Sequence, residues 1–134
     1  MKTRIIYLLG VIIALNLSGC KKVPGPGGSS SIIGNLQRVE YNSDGSIFYQ
    51  YDLAKEDVYI IYGNDETVYD DDVETSYDGN FRFDYLEKGK YQVFVYEKCI
   101  GLDCKPGEKK VLLFDVEITE KKSTVDLGTI YVQK

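Results

Sequence analysis

The chain has 134 residues, a formal net charge of −5 and no histidine. That length holds one domain with short additions. The acidic balance argues against nucleic acid as a partner, and the missing histidine removes Ser–His and Cys–His nucleophile pairs.

The chain opens with Lys2 and Arg4, an apolar run from Ile5 to Leu15, and small residues before Cys20. This layout predicts a secretory signal over 1–19. The run falls short of the roughly 20 apolar residues of a permanent span, and an uncleaved anchor is the alternative. Leu17-Ser18-Gly19-Cys20 resembles the bacterial lipobox. The resemblance implies cleavage before Cys20, a diacylglycerol on its thiol, and acyl chains of the palmitate class that hold the protein on a membrane. Without Lys2 and Arg4, the 16 basic residues fall to 14 against 21 acidic ones, a net charge of −7. From Cys20 to Ser31 Pro, Gly and Ser dominate, which predicts a flexible tether over 20–31. The folded domain is then 32–134.

Within it Gly, Asn and Asp punctuate runs of β-branched and aromatic residues, and no helical period stands out. A first strand is predicted over Ser31–Tyr41, closed by the turn Asn42-Ser43-Asp44-Gly45. Ser46–Leu53 reads as a second strand or extended edge. Asp57–Gly63 is dense enough in apolar residues to be buried on both faces. Glu66–Tyr77 is polar, with a weak strand at its end. Asp78-Gly79 reads as a hairpin turn, after which Phe81, Phe83 and Tyr85 alternate with Arg82 and Asp84. The strand from Tyr91 to Tyr96 is apolar on both faces and is expected at the centre of a sheet. Leu112, Phe114, Val116 and Ile118 form another alternation. In the last strand the apolar phase slips at Gly128, which predicts a β-bulge there. About seven strands without a helix predict an all-β sandwich, with Phe81, Phe83, Tyr91 and Val93 in its core.

Thr75 to Tyr96 resembles the signature of carboxypeptidase-regulatory-like and Cna-B-type domains. The matching residues are Thr75, Asp78, Gly79, Phe81, Phe83, Leu86, Gly89, Tyr91, Val93 and Val95. The resemblance implies a seven-stranded Greek-key β-sandwich of the transthyretin type and an accessory, adhesive or structural role without catalysis. Some Cna-B domains carry a Lys–Asn isopeptide bond assisted by a buried Glu. Val95 occupies that position here, so the bond is not expected. The composition also resembles lipoproteins of Bacteroidota-type bacteria, which implies an outer-membrane anchor in the cell envelope.

Three candidate sites follow. Cys99 and Cys104 remain as a pair in an exported chain, which predicts a disulfide, with two free thiols as the alternative. Between them Ile100 and Leu102 are expected at an exposed tip, flanked by Lys98, Lys105, Lys109 and Lys110, as a contact for an envelope protein partner. The second candidate is acidic. Nine acids and no Lys or Arg lie between Glu56 and Phe81, and Asp70, Asp71, Asp72 and Asp78 are the candidate calcium ligands. An EF-hand frame starting at Glu74 puts Gly79 at its sixth position but Tyr85 where the closing Glu belongs. The third is a glycan surface combining the acidic loop 65–78 with Tyr41, Tyr49, Tyr51, Tyr62 and Tyr69. No catalytic residue and no required cofactor are expected. The chain is read first as a lipid-anchored interaction module, with calcium or glycan binding as the alternative.

Overall fold

The computed structural model describes residues 23–63 and 68–134; the signal segment expected over 1–19, the expected lipid site Cys20, Lys21 and Lys22 lie outside them. The described residues contain eight strands and no helix. They are β1 (Pro26–Tyr41), β2 (Ile47–Asp52), β3 (Asp57–Tyr62), β4 (Asp71–Glu74), β5 (Asn80–Leu86), β6 (Gly89–Lys98), β7 (Lys109–Ile118) and β8 (Thr124–Val132). One sheet runs β4-β3-β6-β7 and is antiparallel throughout. The other is built on β1, which pairs antiparallel with β2 and β5 and parallel with β8. The two sheets face each other as a sandwich.

Strand β1 is long enough to serve two partners along one edge. Its lower half pairs with β5 and its upper end with β2, while β8 runs along the opposite edge. Leu36 marks the seam, because its N–H donates to the Gly79 carbonyl and its own carbonyl accepts from Leu53 N–H. Gly79 has φ +72° there, and a Cβ on it would lie 2.4 Å from the Leu36 carbonyl oxygen. Only glycine meets both conditions.

The core lies between the sheets and contains Ile32, Leu36, Val58, Ile60, Phe81, Phe83, Tyr91, Val93, Val95, Val116, Ile118, Ile130 and Val132. Phe81, Phe83, Tyr91 and Val93 are buried as expected. Each large side chain so buried contributes about 1.5–3 kcal/mol. β6 is a central strand between β3 and β7. Its second apolar face, with β3, explains the two-sided runs: Phe94 stacks on Tyr59 at 5.0 Å, and Tyr59 also meets Tyr69 and Tyr96. The bulge at Gly128 is present. Ile33 and Asn35 of β1 oppose Asp126 and Thr129, so β8 carries one extra residue there, and Gly128 has φ 69°.

Three expectations need correction. The tether read over 20–31 ends sooner, since β1 begins at Pro26 and Ser30 and Ser31 are buried. Gly25 N–H donates to the Tyr91 hydroxyl at 3.0 Å, and Glu87 N–H donates to the Gly25 carbonyl at 2.9 Å. A Cβ on Gly28 would lie 1.9 Å from the Leu86 carbonyl. The glycines there permit close backbone packing, a use that composition cannot separate from flexibility.

The weak strand expected at the end of the polar segment is present as the four-residue edge strand β4, which brings the described strands to eight. The Asp78-Gly79 turn is not a hairpin; it carries the chain from β4 in one sheet to β5 in the other. Tyr85, finally, breaks the alternation of β5. Ile32 pairs with Phe83 but Ser30 pairs with Leu86, so β5 spends three residues where β1 spends two. The bulge turns Tyr85 outward at φ 59° and leaves Leu86 in the core. That backbone costs a non-glycine residue roughly 1–2 kcal/mol.

Candidate functional site

Strand register defines two poles. The lower pole gathers Pro26, Tyr62, Leu86, Gly89, Ile118 and Thr124, and the chain runs into it through Val23, Pro24 and Gly25. The upper pole gathers the ends of β1, β6 and β8, together with β2 and the β6–β7 loop. Lys98 N–H donates to the Gln133 carbonyl at 2.8 Å and ties the two sheets there. Pro26 and Ser30 both pair with Leu86, so only Ser30 to Tyr41 of β1 counts toward the separation of the poles, about 35 Å.

The β6–β7 hairpin is the one expected, paired up to Lys98–Lys109. Cys99 and Cys104 are joined by a disulfide with Cα atoms 5.6 Å apart. Glu108 caps the loop by accepting from Lys105 N–H at 2.7 Å. Ile100 and Leu102 stand on it exposed, Leu102 without any shielding. Of the flanking lysines, Lys110 pairs with Glu97 at 3.6 Å and Lys109 sits 5.9 Å above the Tyr96 ring.

Next to this loop stands a surface that the sequence reading caught only in part, through Tyr41, Tyr49 and Tyr51. All six residues of β2 are exposed, among them Ile47, Phe48, Tyr49 and Tyr51. The Tyr49 ring lies 4.9 Å from Phe48 and 5.9 Å from Tyr51. Arg38 and Glu40 of β1, opposite Tyr51 and Tyr49, hold the strand. Arg38 Nη1 donates to the Tyr51 hydroxyl at 3.0 Å, and its Nη2 pairs with Glu40 and with the Lys134 carbonyl. The Tyr49 hydroxyl and then Arg38 hold the Glu40 carboxyl below the usual glutamate range, against some desolvation. A depression of about 400 Å³ joins the pieces; its lining includes Arg38, Glu40, Tyr41, Lys98, Ile100 and Lys134. Tyr41 and Ile100 thus line one hollow, with β2 along its side.

The free edge of β2 is ready for pairing. Leu36 and Leu53 are a hydrogen-bonded pair, and the register continues unbroken through Arg38–Tyr51 to Glu40–Tyr49. Alternation therefore aims the backbone groups of Tyr49 and Tyr51 at β1 and those of Phe48, Gln50 and Asp52 outward. The other border strands carry charges: Asp71, Asp72 and Glu74 on β4, Lys109, Lys110, Asp115 and Glu117 on β7, Arg82 and Asp84 on β5. β8 carries Asp126 and its bulge. Such features blunt an edge. From Ile47 to Tyr51, β2 has no Asp, Glu, Lys or Arg.

The acidic candidates do not converge. Asp71 and Asp72 are consecutive on β4 and point to opposite faces. Asp70 Oδ2 accepts from Tyr62 N–H at 2.7 Å and Asp71 Oδ1 from Asp72 N–H at 2.9 Å. Asp78 lies in the turn at the other end of β4, its carbonyl accepting from Asn35 Nδ2 at 2.7 Å. Among the described residues no three His, Cys, Asp or Glu are placed to hold a metal ion. The five tyrosines also split: Tyr41, Tyr49 and Tyr51 belong to the upper pole, Tyr69 packs beside Tyr59, and Tyr62 meets Tyr91 edge-on at 5.9 Å. A larger groove of about 690 Å³ crosses β5, β1 and β8 near Asn35, Asn80, Arg82, Asp126 and Thr129. Asn35 there is already bonded to Asp78 and Asn80.

No protein-family model and no curated protein matches the chain. Among solved structures it is similar to a "putative carbohydrate binding protein" from Pseudomonas aeruginosa, at 14% identity and TM-score 0.48, over 82% of this chain and 91% of that one. It is also similar to a 9R-lipoxygenase from Cyanothece, at 15% identity and TM-score 0.38, over 94% of this chain and 20% of that one. Likenesses at that level carry no argument about ligand or activity.

Proposed function

We propose that this protein is a non-catalytic, lipid-anchored recognition module of a bacterial envelope, fixed through Cys20 and binding a protein partner at the pole farthest from the anchor. One observation carries the reading: the upper pole sets a strand free of charged side chains from Ile47 to Tyr51, exposed on both faces, beside a disulfide-closed loop tipped with Ile100 and Leu102. An exposed neutral edge offers a row of backbone donors and acceptors to an extended segment of another chain. The aromatic side chains supply apolar contact on either side. Closing the loop in advance lowers the entropy lost on binding. The resemblance to carboxypeptidase-regulatory-like domains and the −7 charge left after cleavage agree with an accessory role in which neutral patches make the contact.

The test uses the full-length chain in cells, with a photoreactive residue at Phe48 or at Leu102. Both positions are expected to capture the same protein. Gln50→Pro removes an outward N–H that β1 does not use, and proline is tolerated on edge strands. It should abolish capture while the circular dichroism spectrum stays unchanged. Adducts absent at both positions, or capture indifferent to Gln50→Pro, would refute edge recognition.

A further inference from the structure

We infer that the lower pole rests directly on the lipid surface, with Tyr85 as its aromatic contact. This inference rests on the lipid anchor proposed above. Its starting point is the length of chain left free. Pro24 already packs at Gly89, where an added Cβ would lie 2.5 Å from Pro24 Cγ. Gly25 is bonded to Tyr91 and Glu87. Only Lys21, Lys22 and Val23 separate Cys20 from this packed backbone. Four Cα steps span at most about 14 Å, against about 35 Å between the poles. A leash that short cannot hold the domain off the headgroups. It also fixes which end faces them, because the chain leaves the fold at the lower pole.

The loops at that pole suit the position. The β5–β6 turn presents Lys88 and the β7–β8 turn presents Lys121 and Lys122, all exposed. The β7–β8 turn is pinned to the start of β1, with Lys122 N–H donating to Ser29 Oγ at 3.2 Å and Ser123 N–H to Ser30 Oγ at 3.2 Å. Tyr85 immediately precedes Leu86, the residue that pairs with Pro26 where the chain enters β1. It is 74% exposed, and it is so because a bulge and a left-handed backbone turn it out of the core. Bulges re-aim side chains, and strained backbone marks positions held for a use. An amphipathic ring at headgroup level, with lysines around it, is the pattern of an interfacial belt.

The chain contains no tryptophan, so a single indole reports one place. Tyr85→Trp and, at the opposite end of β5, Tyr77→Trp would each be made in the full-length protein. Each would be purified from membranes and reconstituted in phosphatidylethanolamine–phosphatidylglycerol vesicles containing brominated lipid. Sedimentation with the vesicles comes first. The indole from Tyr85→Trp is then expected to be quenched severalfold more strongly than that from Tyr77→Trp, with its emission shifted to the blue. A Gly/Ser insertion of about ten residues after Lys22 adds roughly 17 Å of reach and should relieve the quenching. Equal quenching at the two positions, or quenching untouched by the insertion, overturns the inference with the anchor intact. A chain that stays in the supernatant overturns the anchor, and the inference with it.

Discussion

Tyr91→Phe isolates what holds the first residues of the domain in place. The ring is fully buried and the substitution keeps it, so no cavity opens. What goes is one hydroxyl with two assignments: it accepts from Gly25 N–H at 3.0 Å and donates to the Glu87 carbonyl at 2.7 Å. A net hydrogen bond is worth about 1 kcal/mol, and a buried donor deprived of its acceptor costs about 1–3 kcal/mol. The expected loss is about 2 kcal/mol, and for a domain near this size that lowers Tm by about 8 °C. The loss should also be local. Amide exchange should accelerate at Gly25 and its neighbours, while the amides of β6 and β7 follow the global stability. Thermal melts and exchange mass spectrometry on the same samples read both quantities. A Tm within about 1 °C of the parent, or a fall in Tm with exchange at Gly25 unchanged, would refute the assignment of that hydroxyl as the clamp.

Gly79→Ala should cost about 2 kcal/mol or more, because both the positive φ and the 2.4 Å approach to the Leu36 carbonyl penalise a Cβ; urea unfolding measures it, and a change below about 0.5 kcal/mol would mean the β2–β5 seam can open. Replacing Cys99 and Cys104 together by Ser should cost about 2 kcal/mol, the chain-entropy value for so short a loop, while leaving the sandwich intact; a spectrum of an unfolded chain would contradict the placement of the loop outside the core. Acid should destabilise the fold. The Ser31 hydroxyl, followed by Arg82, holds Asp84 below the ordinary aspartate value, and the Tyr49 hydroxyl, followed by Arg38, does the same for Glu40. Depressed carboxyl groups contribute their stability above the unfolded-state values near about 4 and lose it as the pH falls through the folded ones, so Asp84→Asn should flatten the acid limb of a Tm–pH curve. At high pH the sign reverses. Burial raises the Tyr91 hydroxyl above its usual value, so its contribution is complete below about 10 and falls as the pH climbs further; an absorbance titration at 295 nm should show Tyr91 ionising late, with Tyr59 and Tyr62, which burial also raises, and its share should vanish in Tyr91→Phe.

Periodicity carried most of the fold. The alternation at Phe81 and Phe83, the two-sided β6, the phase slip at Gly128 and the paired cysteines all have local causes, so a short window of sequence is enough to read them. What stayed hidden depends on partners distant in sequence. Gly25 and Gly28 look like linker residues until Tyr91 and Leu86 are placed against them. The Asp78-Gly79 turn has hairpin chemistry, but the sheet each flanking strand joins is set by β1 and β3, not by the turn. At the upper pole Ile100 and Leu102 were legible because an exported pair of cysteines brackets them. β2 was half legible: its lack of in–out alternation suggested an edge, but not that both faces would stay uncovered. Acid density at Asp70–Asp72 misled, since density along a strand sends neighbouring carboxylates to opposite faces.

A binding edge and a lipid contact put opposite demands on a domain this small. Apolar groups at both ends of a free molecule would invite association through either. The anchor proposed at Cys20 would separate the two roles. A leash of about 14 Å would leave the lower pole no surface to meet but the membrane, and about 35 Å of β1 would carry β2 clear of it. The separation requires a rigid link between the poles, and β1 supplies one. From Ser30 to Tyr41 it is paired by β5 and then β2 on one side, and from Ser31 to Arg38 by β8 on the other. Local unfolding of β1 would therefore be the costliest motion available to the domain. The proposed orientation at the membrane and the proposed presentation at the far pole would then be fixed by the same strand.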